Sequence, residues 1–323
     1  MSNATLTAIE GLRVGHAHHL DGPTGCTVVL CPPGTVGGVD QRGGAPGTRE
    51  TDLLRPLHLV EHVHAILLAG GSAYGLDSAS GVMRFLEEQN IGYNIGVGVV
   101  PIVPAAIIFD LDVGDPKIRP DAAMGYAACR AASELPTTEG CVGAGAGAIV
   151  GRLLGTAFAC KSGIGSAVID LGDGLKVAAL FVVNALGDVV NDQGAILAGT
   201  RQPPDGATFA QALSILAAGV RVSGSHSNNT VIGVVATNAQ LNKEETNLVA
   251  QMAHDGLARA VRPAHTLLDG DTIFALSTGT AGRANASAIG AFAAEVTAKA
   301  IRRVVQQATP LAGLPVGADI TAL

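Results

Sequence analysis

Thr230 has more chemistry within reach than any other residue of this chain. It stands between a polar stretch, Ser223-Gly224-Ser225-His226-Ser227-Asn228-Asn229, and the apolar run Val231-Ile232-Gly233-Val234-Val235-Ala236. A hydroxyl at the start of a buried strand, behind a loop, is well placed for a nucleophile. If the Asn229–Thr230 bond breaks, Thr230 gains a free α-amine, of pKa roughly 7.7–8.0, beside its own hydroxyl. That amine can serve as general base for the hydroxyl. The plainer alternative is a turn before a core strand, where Asn and Thr are common.

Other polar groups sit at comparable strand mouths. Asp269-Gly270-Asp271-Thr272 precedes Ile273-Phe274-Ala275-Leu276. It reads either as a tight turn or as a carboxylate pair that orients a hydroxyl or receives an amine. Asn184 ends the run Val182-Val183 and can donate a hydrogen bond to an oxyanion. Tyr74 follows Gly70-Gly71-Ser72-Ala73, where a strand hands over to a helix.

Three further features are better explained without a ligand. His58-Leu59-Val60-Glu61-His62 matches the H-x-x-E-H zinc pattern. The segment from His64 onward soon turns strand-like, so surface histidines are the better reading. His16, His18 and His19 cluster without other ligand signals. Gly143-Ala144-Gly145-Ala146-Gly147-Ala148 fits G-x-G-x-x-A, with Asp170 downstream. Its entry strand is poor and glycines follow it, so close backbone packing is favoured over a dinucleotide site. No cofactor or metal is expected.

Composition narrows the setting. The 323 residues suffice for one large domain or two small ones. Hydrophobic residues make up 48% and charged residues 15%, so a large core is available and some surface can be buried between subunits. A net charge of -7, without a Lys/Arg-rich stretch, argues against a nucleic-acid partner. Ile91 to Phe109 is free of charge but broken by Gly92, Gly96, Gly98, Pro101 and Pro104. It reads as strands and turns rather than a membrane span. Cys26, Cys31, Cys129, Cys141 and Cys160 form no C-x-x-C pair and read as thiols in a reducing, cytoplasmic compartment. The start of the chain lacks the basic and apolar regions of a signal peptide.

The elements that must position the polar groups alternate along the chain. Strands are expected at Cys26 to Leu30, Ala65 to Ala69, Ala167 to Leu171, Val177 to Val183, Val231 to Ala236 and Thr272 to Ser277. Several are apolar throughout, as for strands covered on both faces. Helices are expected at Tyr74 to Glu88, at Asp121 to Glu134, after the N-cap Asn242 with Glu245 in its first turn, and at Ala286 to Ala308. Gly199 to Asn229 reads as the least ordered segment, with room for a short helix at Phe209 to Val220. The whole reads as one domain with an internal processing loop.

Five segments, in this order and spacing, resemble one family. They are Gly22-Pro23-Thr24-Gly25-Cys26-Thr27-Val28, Leu68-Ala69-Gly70-Gly71-Ser72-Ala73-Tyr74-Gly75-Leu76, Val182-Val183-Asn184-Ala185-Leu186-Gly187-Asp188, Asn229-Thr230-Val231-Ile232-Gly233-Val234-Val235-Ala236-Thr237-Asn238 and Asp269-Gly270-Asp271-Thr272. The family is that of L-aminopeptidase/D-esterases, β-aminopeptidases and 6-aminohexanoate-oligomer (nylon) hydrolases. The resemblance implies an αββα four-layer sandwich of the N-terminal-nucleophile type and a precursor that cuts itself between Asn229 and Thr230. The products would be an α chain, 1–229, and a β chain, 230–323. It implies an amide hydrolase with Thr230 as nucleophile. Asn184 and Tyr74 match positions for substrate positioning and the oxyanion, and Asp269 and Asp271 an acidic pair beside the nucleophile. Thr with Asp-Gly-Asp looks closer to the nylon-oligomer branch. That branch carries a lysine where this chain has Arg152, and Lys161 is assigned the lysine's role. A homo-oligomer of αβ units, a tetramer, is expected. The rival readings are a self-cleaving acyltransferase and an uncleaved, non-catalytic scaffold of the same fold.

Overall fold

The computed structural model describes residues 3–219 and 229–320. Val220 to Asn228, with the polar stretch before Asn229, lie outside the described residues.

Ten strands carry the architecture: β1 (Arg13–His19), β2 (Thr24–Leu30), β3 (Val36–Gln41), β4 (Thr48–Arg49), β5 (Ala65–Ala69), β6 (Ala105–Ile107), β7 (Ile164–Asp170), β8 (Lys176–Asn184), β9 (Thr230–Thr237) and β10 (Thr272–Ser277). Five helices accompany them: α1 (Ser78–Glu87), α2 (Ala122–Ala131), α3 (Ala212–Ala217), α4 (Lys243–Ala260) and α5 (Ala286–Gln307). One sheet has the order β1-β2-β5-β6-β4 and the other β7-β8-β9-β10-β3. β9 and β10 run parallel, and the other neighbours in that second sheet run antiparallel.

Strand periodicity sorts side chains into three apolar layers. Ala178, Leu180 and Val182 of β8, with Ile232, Val234 and Ala236 of β9, meet Ile66, Leu68 and Ala106 of the first sheet. The alternate residues Val177, Ala179, Phe181, Val183, Val231 and Val235 pack against α4 and α5. On the far side, Val28, Leu67 and Ala69 pack against Val82, Leu86 and Met124 of α1 and α2. The result is an αββα sandwich, and it explains why β8 and β9 are apolar at nearly every position. Thr230 and Asn184 are in phase with the residues that face the other sheet. They pair with each other across β9 and β8, at the end of the sandwich.

Local signals fix the helix ends. The Asn242 side chain accepts from Glu245 N and Glu245 answers to Asn242 N, a reciprocal cap worth about 1 kcal/mol. Asp121 and Asn285 cap α2 and α5 by one bond each, accepting from Met124 N and Ala288 N. α1 is shorter than expected because Ser72–Asp77 forms a 3-10 turn, entered through the left-handed Gly71. Ile91 to Phe109 resolves into short strands and turns. Residues 55–64 are not helical, so His58 and His62 do not share a helix face and the zinc pattern is not formed. Gly143–Gly145 is a 3-10 turn packed on Gly163, which is the close backbone approach expected there and no dinucleotide loop. Among the described residues, no helix is long and apolar enough to cross a membrane.

Candidate active site

β9 begins at Thr230, and the residue before it is gripped from one side by the turn that precedes β10. Asn229 N–H donates to Leu268 O, and Gly270 N–H donates to Asn229 O, both at 2.9 Å. The turn is built by Asp269. Its Oδ2 accepts from Thr266 N (2.7 Å) and Thr266 Oγ1 (2.6 Å), which closes residues 266–269. The Thr230 hydroxyl donates to the same Asn229 oxygen at 2.5 Å. One carbonyl oxygen therefore accepts from both the Thr230 hydroxyl and a main-chain N–H. Asn229 is 0% exposed and Thr230 3%.

Asp271 supports the strand from below. Its Oδ1 accepts from Val231 N (2.8 Å), the residue after Thr230. Its Oδ2 accepts from His265 N (3.1 Å) and lies 2.7 Å from His265 Nδ1. His265 has a left-handed backbone, φ 59°, and its ring stands edge-on to His254 with centroids 4.8 Å apart. His254 Nε2 lies 3.1 Å from Asp40 O, and burial pushes its imidazole down to about 3, so it is neutral near pH 7. Burial, reinforced by the neighbouring Asp271 carboxylate, pushes Asp269 up to about 6.

Asn184, across from Thr230, spends its amide on structure. Nδ2 donates to Phe109 O (2.9 Å), which ties the two sheets together, and Oδ1 accepts from Ile149 N (3.1 Å) and Arg152 Nη1 (3.4 Å). Arg152 is buried, donates to Phe109 O as well, and pairs with Asp112. Lys161 is fully buried and its ammonium donates to Ala148 O and Ser162 O at 2.7 Å and Gly145 O at 3.2 Å. Burial brings it down to about 8. Tyr74 is 60% exposed, with the Arg119 guanidinium 3.8 Å above its ring.

The structure thus brings Asn229, Thr230, Asn184, Asp269 and Asp271 to one place. The Asn229 oxygen accepts from Gly270 N–H as well as from the Thr230 hydroxyl, while Asn184 Nδ2 donates to Phe109 O and Tyr74 faces outward. The cation that touches Asn184 is Arg152, while Lys161 binds three carbonyls and makes no hydrogen bond to Thr230 among the described residues. Sequence reasoning passed over Gly270 because it read the Asp-Gly-Asp segment for its carboxylates. It passed over His265 because the link to Asp271 depends on a left-handed backbone. Among the described residues, no group of three His, Cys, Asp or Glu side chains is arranged to hold a metal ion.

Residues 4–316 match peptidase family S58. An uncharacterized aminopeptidase of Mycobacterium leprae (strain TN) is 46% identical over 353 residues, covering 96% of this chain and 92% of the relative. A 6-aminohexanoate-oligomer endohydrolase of Kocuria sp. (strain KY2) is 33% identical over 308 residues, covering 88% and 81%. The solved β-aminopeptidase of Burkholderia sp. superposes with a TM-score of 0.72 at 22% identity, covering 98% of this chain and 90% of that one. The L-aminopeptidase D-Ala-esterase/amidase of Ochrobactrum anthropi, described as a variant of the Ntn hydrolase fold, gives 0.71 at 17% identity, covering 96% and 87%.

Proposed function

This chain belongs to peptidase family S58, and we propose that it is a self-processing amide hydrolase whose nucleophile is Thr230. The observation that carries the reading is the Asn229 carbonyl oxygen, which receives the Thr230 hydroxyl and the Gly270 N–H together. In the precursor, Thr230 Oγ attacks the Asn229 carbonyl carbon. The new C–O bond replaces the C–N bond, and the hydroxyl proton ends on the departing nitrogen. Gly270 N–H stabilises the oxyanion that forms on the way. Water then hydrolyses the ester, leaving a carboxylate at Asn229 and a free amine and hydroxyl on Thr230. The chains would be 1–229 and 230–323.

In the mature enzyme the Thr230 amine takes the hydroxyl proton as Oγ attacks a substrate amide. Asp271 holds Val231, and so the strand start, in register. Asp269 keeps a negative charge beside the amine. Asn184 fixes the end of β8 opposite the nucleophile, with Arg152 behind it. The substrates are short peptides with a free N-terminus or linear amide oligomers, in keeping with the aminopeptidase and oligomer-hydrolase relatives. No cofactor is needed for these steps.

Denaturing electrophoresis and N-terminal sequencing test the reading. Purified wild type is expected as two fragments, one beginning at Thr230, with amidase activity, and Thr230→Ala as one inactive chain. An intact wild-type chain without amidase activity would overturn it. Product analysis with and without an acceptor amine separates hydrolysis from acyl transfer.

We also propose a homo-oligomer of αβ units, a tetramer, in the cytoplasm. Support comes from Leu57, Leu59, Val97 and Leu267, which leave large apolar side chains exposed, and from five unpaired cysteines. Light scattering on the eluted peak measures the assembly, and a single αβ unit would refute it.

A further inference from the structure

The mouth of the strands is not open in the continuous chain. Three leucines stand there, each within two residues of a site residue in sequence. Leu153 follows Arg152, Leu186 lies two residues past Asn184, and Leu268 immediately precedes Asp269. Leu268 also holds Asn229 N–H through its carbonyl. Leu153, Leu186 and Ala212 form one buried apolar cluster, with Ile215 and Leu268 packed against it. Ala212 and Ile215 belong to α3, so one face of this short helix fills the space that the three leucines enclose.

α3 is held lightly elsewhere. Leu213 is 53% exposed and Leu216 37%. A cleft of about 300 Å³ opens beside the helix, lined in part by Phe209, Gln211, Leu213 and Arg262. The helix is entered through Gln211 at φ 58°, a left-handed conformation that costs a non-glycine residue energy. Its first residue is pinned by a single buried carboxylate, since Asp188 Oδ2 accepts from Ala212 N at 2.7 Å.

We propose that Leu153, Leu186 and Leu268 form the subsite for an aliphatic group of the amide substrate, and that α3 fills it until the bond before Thr230 is cut. The proposal rests on the hydrolase reading above. A substrate carbonyl must take the place of the Asn229 carbonyl at Thr230, so its acyl side enters along the path that Asn229 and the leucines now border. An aliphatic side chain or methylene run suits the apolar side chains of Leu153, Leu186 and Leu268. Cutting at Asn229 leaves α3 near a free chain end. The helix then becomes a tethered competitor that an aliphatic substrate displaces.

Two measurements test this on the full-length protein. Hydrogen exchange of the amides in 212–217 is compared between cleaved wild type and uncleaved Thr230→Ala, and at least tenfold faster exchange is expected after cleavage. Equal protection in both overturns the plug. The second compares kcat/KM for leucine and glycine p-nitroanilides. Wild type should prefer leucine, and Leu186→Asn should shrink that preference about tenfold, the size of a lost aliphatic pocket contact. Leu268→Ala, at a half-buried position, gives the same readout with less risk to folding. Ile215→Gln should still cut itself and should lower KM for the leucine substrate. An unchanged leucine-to-glycine ratio in both leucine variants overturns the subsite while leaving the hydrolase reading intact. A wild type that never cuts itself overturns both.

Discussion

Lys161 and Asn184 hold opposite ends of one peptide group. The Lys161 ammonium binds Ala148 O at 2.7 Å, and the Ile149 N–H of the same peptide unit donates to Asn184 Oδ1 at 3.1 Å. The cation polarises that peptide and strengthens its N–H as a donor. Lys161 therefore reaches Asn184 through that peptide, and among the described residues it makes no hydrogen bond to Thr230. Lys161→Met is expected to leave three carbonyls without their cation and to destabilise the fold by about 3 kcal/mol, read as a lower urea midpoint. An unchanged midpoint with lost activity would instead make Lys161 a direct participant.

Gly270→Ala isolates the proposed oxyanion donor. A Cβ there would lie 2.3 Å from Ala45 O and 3.0 Å from Pro46 Cα, so the turn must shift and carry its N–H off Asn229 O. Self-cleavage should slow about 100- to 1,000-fold, followed as the appearance of the two fragments over time. A wild-type rate would place the donor elsewhere.

His265 tests the support beneath Thr230. His265→Ala removes one charge-assisted hydrogen bond from Asp271, and kcat should fall about tenfold to a hundredfold with little change in KM. His265→Asn should recover much of the loss, because Asn tolerates the left-handed backbone and keeps a donor. Equal losses in both variants would point to packing against His254 instead.

Asp269 should leave its mark on the pH profile. Its carboxyl is pushed up to about 6, so it is largely protonated at pH 5 and ionised at pH 7. Peptidase activity of the mature enzyme should rise through pH 6 as the charge beside the Thr230 amine appears. Asp269→Asn should lose that inflection while retaining any rise set by the amine itself. The stability effect has the opposite sign. The folded state binds the extra proton between about 4 and 6, so this group favours the folded state less as pH climbs through that window.

Arg152 distinguishes charge from geometry. Its guanidinium reaches Asn184 Oδ1, Phe109 O and Asp112 at once. Lysine cannot span those partners, so Arg152→Lys should lower kcat about tenfold although the charge is kept. Full activity in Arg152→Lys would mean that charge alone suffices.

Much of this site was legible because strand mouths announce themselves. An apolar run preceded by a hydroxyl or carboxylate marks the start of a buried strand, which located Thr230, Asp269 and Asp271, and a polar residue closing such a run located Asn184. Ala65–Ala69 and Thr272–Ser277 fall where the apolar runs predict. β3 was hidden because Gly37 and Gly38 weaken its strand signal. Gly38 is needed there because α4 crosses so closely that a Cβ would lie 2.7 Å from Asn247 N. β1 was hidden because His16, His18 and His19 break the apolar pattern of a buried strand. Gly270 and His265 act through main-chain position and backbone hand, and residue type alone encodes neither.

The second sheet interleaves the two sides of the proposed cut. β8 and β3 precede Asn229 in the chain, β9 and β10 follow it, and the order β8-β9-β10-β3 threads the later strands between the earlier ones. Once the bond is broken, the fragments stay locked together by their ladders, but the tether that brought them into register is gone. Assembly becomes a one-way process, with folding first and scission second. After complete unfolding and dilution, Thr230→Ala should find its native state again, whereas the two-chain enzyme should not. The lifetime of the cut enzyme would then be set by how slowly it unfolds, because it would have only one chance to be put together.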